Sequence, residues 1–188
     1  MEMAFILSSI LLISYSALAL FDGVYLHLFK YRLHEQESSK FEHLIHSIRA
    51  LLFSGILYTL YIGIENNRLF LIGLVLVLID VITLIIDAYV EKNSREFMGG
   101  LPRWEYILHL LVNGFHFASI AVFLLIKVEL THDGAILHDD FQNFKNYSLF
   151  QMIAVNLLPG AVLTALLHIV VCNAKFNLLF KKLRFNCC

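Results

Sequence analysis

The sequence predicts an all-α, polytopic membrane protein with about five transmembrane helices. Of its 188 residues, 59% are hydrophobic and only 15% are charged, and the mean hydropathy is +0.74. Soluble domains average about 45–50% apolar and about 25% charged residues. The net charge of −1 provides no excess of basic residues for a nucleic-acid surface. Three cysteines are too few for a disulfide framework. A single membrane domain therefore accounts for the whole chain.

Five apolar stretches are long enough to cross a bilayer, which requires about 20 residues in a helix. They cover approximately residues 4–29, 44–64, 69–90, 106–126 and 149–172. The first begins with Glu2, lacks a Lys or Arg before the apolar run, and continues well past the signal-like Ser16–Ala19. We therefore expect a retained helix rather than a cleaved signal peptide.

The distribution of Lys and Arg predicts an outside N-terminus and a cytoplasmic C-terminus. With that orientation, eleven of the fourteen Lys and Arg residues fall on the cytoplasmic side. These are Lys30, Arg32, Lys40, Arg49, Lys92, Arg95, Arg103, Lys175, Lys181, Lys182 and Arg184. Residues 173–188 alternate apolar and basic residues, which predicts a cytoplasmic amphipathic tail.

The connections predict how the helices follow one another. Residues 65–68 form a tight turn, so the second and third helices should be antiparallel neighbours. Residues 99–102, Gly-Gly-Leu-Pro, end one helix and start the next. Residues 127–147 are expected to form an outer loop or a short amphipathic segment.

Ionisable side chains gather at the predicted cytoplasmic ends of the first four helices. An ionisable residue inside a membrane helix costs about 2.5–3.5 kcal/mol on insertion scales, so such a cluster indicates a function. The residues are Asp22, His27, His34, Glu42, His43, His46, Asp80, Asp87, Glu91, Glu105, His109 and His116. At about 100° per residue, helices two to four each present one polar face. On the first helix, Asp22 and His27 lie about 140° apart, so Asp22 is expected to face away.

The pattern Glu-x-x-x-His occurs twice, at Glu42–His46 and at Glu105–His109. Each copy opens a helix and follows a helix that ends in acids or histidines. The chain therefore looks like two parallel hairpin repeats related by an axis along the membrane normal. Together they predict a four-helix bundle, with the fifth helix added.

Paired carboxylates and imidazoles one turn apart predict a metal site similar to those of di-iron carboxylate bundles. The predicted ligands are His27, Glu42, His46, Asp87, Glu91, Glu105 and His109. Asp87, Glu91 and His116 are also the predicted catalytic groups. The residues expected to surround the ligands are Asp22, His43, Asp80, Arg49 and Arg95, and Asp22, His43 and His116 are also candidates for substitute ligands. Both arginines are expected to anchor at the lipid headgroups, with neutralisation of excess carboxylates as the alternative.

Two metal ions, with iron as the expected metal, predict an oxidoreductase of the hydroxylase, desaturase or oxidase type. Its substrate would be a lipid or another hydrophobic molecule, and an electron donor would be a partner. Three alternatives remain open: zinc-dependent hydrolysis with Asp87 or Glu91 as base, electron transfer through a haem bound by His46 and His109, and transport. A salt bridge between Arg95 and Glu91 would compete with metal binding.

Overall fold

The computed structural model describes residues 1–172, and the predicted tail, residues 173–188, lies outside them. Five helices are long and apolar enough to span a membrane, which confirms the all-α polytopic fold. They are α1 (Glu2–Lys30), α2 (Glu37–Ile62), α3 (Asn67–Ser94), α4 (Arg103–Lys127) and α5 (Tyr147–Val171). The chain is an integral membrane protein.

The helix α1 changes its winding where the polar residues begin. Glu2–Leu20 is α-helical, whereas Phe21–Lys30 is π-helical. In a π-helix the backbone hydrogen bonds join residues five apart, so residues i and i+5 come close to the same face. Asp22 and His27 are five apart, and the expectation that Asp22 faces away from His27 is therefore wrong.

Helix packing follows the predicted repeat. The most extensive contacts join α1 to α4 and α2 to α3, and α5 packs against α2 and α1. In the predicted repeat, α1 corresponds to α3 and α2 corresponds to α4. With this correspondence, the α1/α4 pair is equivalent to the α3/α2 pair. This is the contact pattern that two parallel repeats produce. Gly55 and Gly73 lie where a side chain would collide with the neighbouring helix of the α2/α3 pair, which lets these two helices approach closely.

The two ends of the bundle differ in their connections and in how their side chains pack. We call the end with the 31–39 and 95–102 connections the basic end. There Ser39 at the start of α2 donates its hydroxyl to the Ser94 carbonyl at the end of α3, at 2.7 Å. The opposite end holds an aromatic core that includes Phe5, Phe123 and Phe150.

The connection between α4 and α5 contains a β-hairpin, whereas the sequence predicted a loop or a short amphipathic segment there. Its strands are β1 (Val128–Thr131) and β2 (Gly134–Leu137), paired antiparallel with Thr131 opposite Gly134. The two turn residues are His132 and Asp133, and Gly134 follows them with a φ of 137°, which glycine adopts readily.

Candidate metal centre

The structure brings the predicted ligands together near the basic end, between α1, α2, α3 and α4. Within the described residues, two groups offer ligand atoms that all lie within 4.8 Å of one another. We call Asp22, His27, Glu105 and His109 the first ligand group, and His27, Glu42 and His46 the second ligand group. The two groups share His27, so they form one continuous cluster.

The first ligand group spans α1 and α4. Asp22 Oδ1 lies 3.4 Å from His27 Nε2 and 3.2 Å from His109 Nε2. The other nitrogen of His109, Nδ1, lies 2.5 Å from Glu91 Oε1 on α3. Asp22 is thus one of the residues that could hold a metal ion. The π-helical winding of α1 is what places it there.

The second ligand group joins α1 to α2, and Asp87 on α3 lies beside it. His46 Nε2 is 3.5 Å from Glu42 Oε1 and 3.4 Å from Asp87 Oδ1. Both distances are longer than the length of about 2.7–2.9 Å that is usual for a hydrogen bond between charged groups. Among the described residues, neither His46 Nε2 nor Asp87 Oδ1 has a hydrogen-bond partner, and both atoms are buried. Ligands about 2.1 Å from one tetrahedral ion lie about 3.4 Å from each other.

The two halves of the cluster correspond through the sequence repeat. Asp22 contacts His109 across the α1/α4 pair, and Asp87 contacts His46 across the α2/α3 pair. His46 and His109 are the histidines of the two Glu-x-x-x-His copies. Each repeat therefore contributes one acid and one histidine to equivalent contacts.

Arg95 occupies the middle of the cluster, which corrects its predicted place at the headgroups. Its side chain is fully buried. Its Nη2 lies 2.8 Å from Glu105 Oε1, 2.9 Å from Glu42 Oε1 and 3.1 Å from His27 Nε2. The guanidinium group has donors pointing in several directions, which suits a position between the two repeat glutamates. Glu91, the partner considered for Arg95 from the sequence, contacts His109 instead.

Tyr31 joins the cluster although nothing in the sequence singled it out. It lies just beyond α1, its ring lies 5.5 Å from the Arg95 guanidinium carbon, and its hydroxyl interacts with Glu105. Burial, assisted by the charge of Glu105, raises the pKa of Tyr31 to about 12. The folded protein therefore keeps the Tyr31 phenol protonated to a higher pH than the unfolded chain does.

The raised pKa of Tyr31 predicts a loss of stability at alkaline pH. The unfolded phenol loses its proton near pH 10, whereas the folded one keeps it to about pH 12. Between these values deprotonation favours the unfolded state. We expect the stability of wild type relative to Tyr31→Phe to fall from pH 10 to pH 12 and to be constant below pH 9, measured by unfolding in detergent. An unchanged difference across this range would contradict the contact with Glu105.

A second polar network lies next to the ligand groups, towards the membrane centre. Arg49 contacts Asp80 Oδ1 at 3.3 Å, Asp87 Oδ2 at 3.5 Å and Asn113 Oδ1 at 2.7 Å. The prediction that Arg49 anchors at the headgroups is therefore wrong, because three polar partners hold it inside the bundle. The other oxygen of Asp80 lies 3.1 Å from His116 Nε2.

His116 and His43 lie outside both ligand groups. His116 packs against Tyr15, with ring centroids 4.4 Å apart, and reaches the ligands only through Asp80 and Arg49. Its catalytic role stays a prediction, as do those of Asp87 and Glu91. His43 donates from Nε2 to the His168 carbonyl at 3.1 Å. His43 thus packs towards α5, and its expected place around the ligands stays a prediction.

The cluster carries more negative than positive charge. The cluster contains two guanidinium groups, those of Arg49 and Arg95, and six carboxylates. The carboxylates are those of Asp22, Glu42, Asp80, Asp87, Glu91 and Glu105. With neutral histidines, four of these negative charges have no fixed positive partner within residues 1–172. Inside a membrane domain, such a charge requires bound cations or protons.

Comparison with protein families, curated protein sequences and solved structures gives no match to this chain. Its class therefore follows from the fold and the site alone. It is a five-helix integral membrane protein with a buried cluster of histidines and carboxylates that could hold metal ions.

Proposed function

We propose that this protein binds two metal ions in the cluster, one at each ligand group, and uses them to oxidise a hydrophobic substrate. The observation that carries the proposal is the spacing of buried atoms between the second ligand group and Asp87 beside it. His46 Nε2 and Asp87 Oδ1 face each other at 3.4 Å, and within residues 1–172 neither atom has a hydrogen-bond partner. That separation matches two ligands on one ion.

The charge of the cluster supports the same proposal. Two divalent cations would balance the four negative charges that Arg49 and Arg95 leave. Arg95 would then remain as the cation between Glu42 and Glu105. Each metal ion would bind on the side of its ligand group that faces away from Arg95. Protonation of four histidines would also balance the charge, and this is the state that a proton-coupled transporter would use.

Mixed carboxylate and imidazole ligands suit iron, manganese and zinc, and iron fits the carboxylate-rich set best. Two iron ions would supply the oxidising chemistry that amino-acid side chains lack. The role of the protein is to orient the ligands, to keep water out and to bring a substrate to the cluster. An electron donor would act as a partner.

The geometry argues against two alternatives. A hydrolytic zinc ion needs three or four ligands, which leaves several of the buried acids without a role. A haem bound by His46 and His109 would need the space that His27 occupies. The His27 ring centroid is 4.2 Å from that of His46 and 5.9 Å from that of His109.

Elemental analysis combined with a visible spectrum of the purified protein tests the proposal. We expect about two iron ions per chain and no Soret band. A Soret band would indicate haem, and a single zinc ion would indicate hydrolysis. Absence of metal from protein produced with added iron would overturn the proposal in favour of transport or a structural role.

We also propose that the basic end faces the cytoplasm, as the Lys and Arg distribution predicts. Lys40, Arg103, Asn66 and Asp133 are suitable positions for single cysteines, because all four lie at the ends of the helices or in the connections. We expect a membrane-impermeant thiol reagent to label cysteines at 66 and 133 from outside intact cells, and those at 40 and 103 only after permeabilisation. The reverse result would invert the topology and move the cluster to the outer leaflet.

A further inference from the structure

A cavity of about 180 Å³ lies beside the second ligand group, bounded chiefly by α1, α2 and α5. Most of the residues that line it are apolar, and many have small side chains. They include Ala19, Leu20, Ala50, Phe53, Gly160 and Ala161. The metal proposal assigns no role to this cavity.

The cavity has one polar end, and that end belongs to the cluster. Asp22, His46 and Arg49 line both this cavity and a second one of about 280 Å³, which also contacts Asp87, Glu91 and His109. A molecule in the apolar cavity would therefore have one end against the ligand atoms. Its other end would lie near Phe53, further from the basic end along α2.

The cavity opens towards the bilayer between α1 and α5. Leu20 on α1 is 54% exposed, and Gly160 on α5 is exposed as well. Among the described residues, no atom lies within 4 Å of a Cβ added at position 160, so a larger side chain can be placed there without a clash at its Cβ. Both positions lie within membrane-spanning helices, where the surroundings are hydrocarbon.

Three hydroxyl groups line the cavity, and two of them are used by their own helices. Ser16 donates to the Leu12 carbonyl at 2.8 Å, and Thr164 donates to the Gly160 carbonyl at 2.9 Å. The third belongs to Tyr15, whose ring packs against Phe53 with centroids 4.7 Å apart, so a quinone is the competing occupant that the experiment has to separate. A dry apolar cavity of about 150 Å³ binds benzene, so this one has room for a hydrocarbon segment of roughly six carbons.

We propose that this cavity binds a segment of one unbranched lipid acyl chain, which enters from the bilayer between α1 and α5 and places a methylene group against Asp22 and His46. The assignment of that chain as substrate rests on the proposed function. Its binding does not, because it follows from the cavity and its opening.

Photolabelling of the full chain in phosphatidylcholine vesicles tests the proposal. The probe is a phosphatidylcholine with a diazirine in one acyl chain, and mass spectrometry locates the label. In wild type we expect label on Ala50 and Phe53, on the α2 side of the cavity, as well as on the outward-facing Leu163, which is 58% exposed. In Gly160→Leu the new side chain fills the opening, and label on Ala50 and Phe53 should fall at least fivefold while Leu163 keeps its label.

Gly114→Leu is the matched control. Gly114 is an exposed glycine within α4 that also has no atom within 4 Å of an added Cβ, but it does not line the cavity. We expect this variant to label as wild type does. Ala161→Leu is a second variant at the same opening, should Gly160→Leu fail to fold.

Equal labelling of Ala50 and Phe53 in wild type and in the folded opening variants would overturn the proposal. Labelling of these positions by a photoreactive short-chain quinone, and not by the acyl probe, would overturn it too. Metal analysis of the same samples separates the two proposals. If the protein contains no metal but the label on Ala50 and Phe53 depends on the side chain at position 160, the acyl site is supported and the proposed function fails. If the protein contains metal but this label does not depend on position 160, the proposed function is supported and the acyl site fails.

Discussion

Replacing His46 by Ala is expected to remove one of the two metal ions, and His109→Ala should remove the other. The two histidines belong to different ligand groups and sit at equivalent positions of the repeat. Each single variant should therefore retain about half of the wild-type metal, and the double variant should retain almost none. Elemental analysis of protein purified in detergent measures this directly.

His138→Ala is the matched control for these variants. His138 contacts Glu129 in the connection between α4 and α5, at the opposite end of the bundle, and should have no effect on metal content. Wild-type metal content in both His46→Ala and His109→Ala would show that the ligand groups do not bind the metal. Loss of all metal in each single variant would indicate that the two ions bind only together.

Replacing Arg95 by Ala is expected to produce the largest loss of stability. It leaves Glu42 and Glu105 buried without their shared cation, and breaking a buried ion pair costs about 3–5 kcal/mol. For a chain of this size that corresponds to a fall in melting temperature of roughly 6–20 °C. Thermal unfolding in detergent, with and without a chelator, measures it. The metal-free variant should be the least stable form, because it lacks both sources of positive charge.

Arg103→Ala is the control for Arg95→Ala, because Arg103 is exposed at the start of α4. It should change the melting temperature little with or without chelator. One result would argue strongly against the metal: chelation leaves the wild-type melting temperature unchanged, while Arg95→Ala lowers it equally under both conditions. The cluster would then be a structural network of ion pairs with Arg95 at its centre.

The sequence by itself determined the membrane class, the five spans and most of the residues that cluster near the basic end. Composition and hydropathy suffice for the spans, because a continuous apolar helix satisfies its own backbone hydrogen bonds in lipid. The repeated Glu-x-x-x-His pattern located Glu42, His46, Glu105 and His109, since residues four apart share a helix face. These residues do converge in the structure.

Only the tertiary structure decided the roles of Asp22, Arg95 and Tyr31. Asp22 joins the first ligand group because the end of α1 winds as a π-helix, which an α-helical period cannot predict. Arg95 and Tyr31 lie just beyond helix ends, where the path of the connection and not helical phase sets the direction of a side chain. The long arginine side chain reaches either lipid headgroups or a buried acid pair, and the packing of the four helices selects the acids.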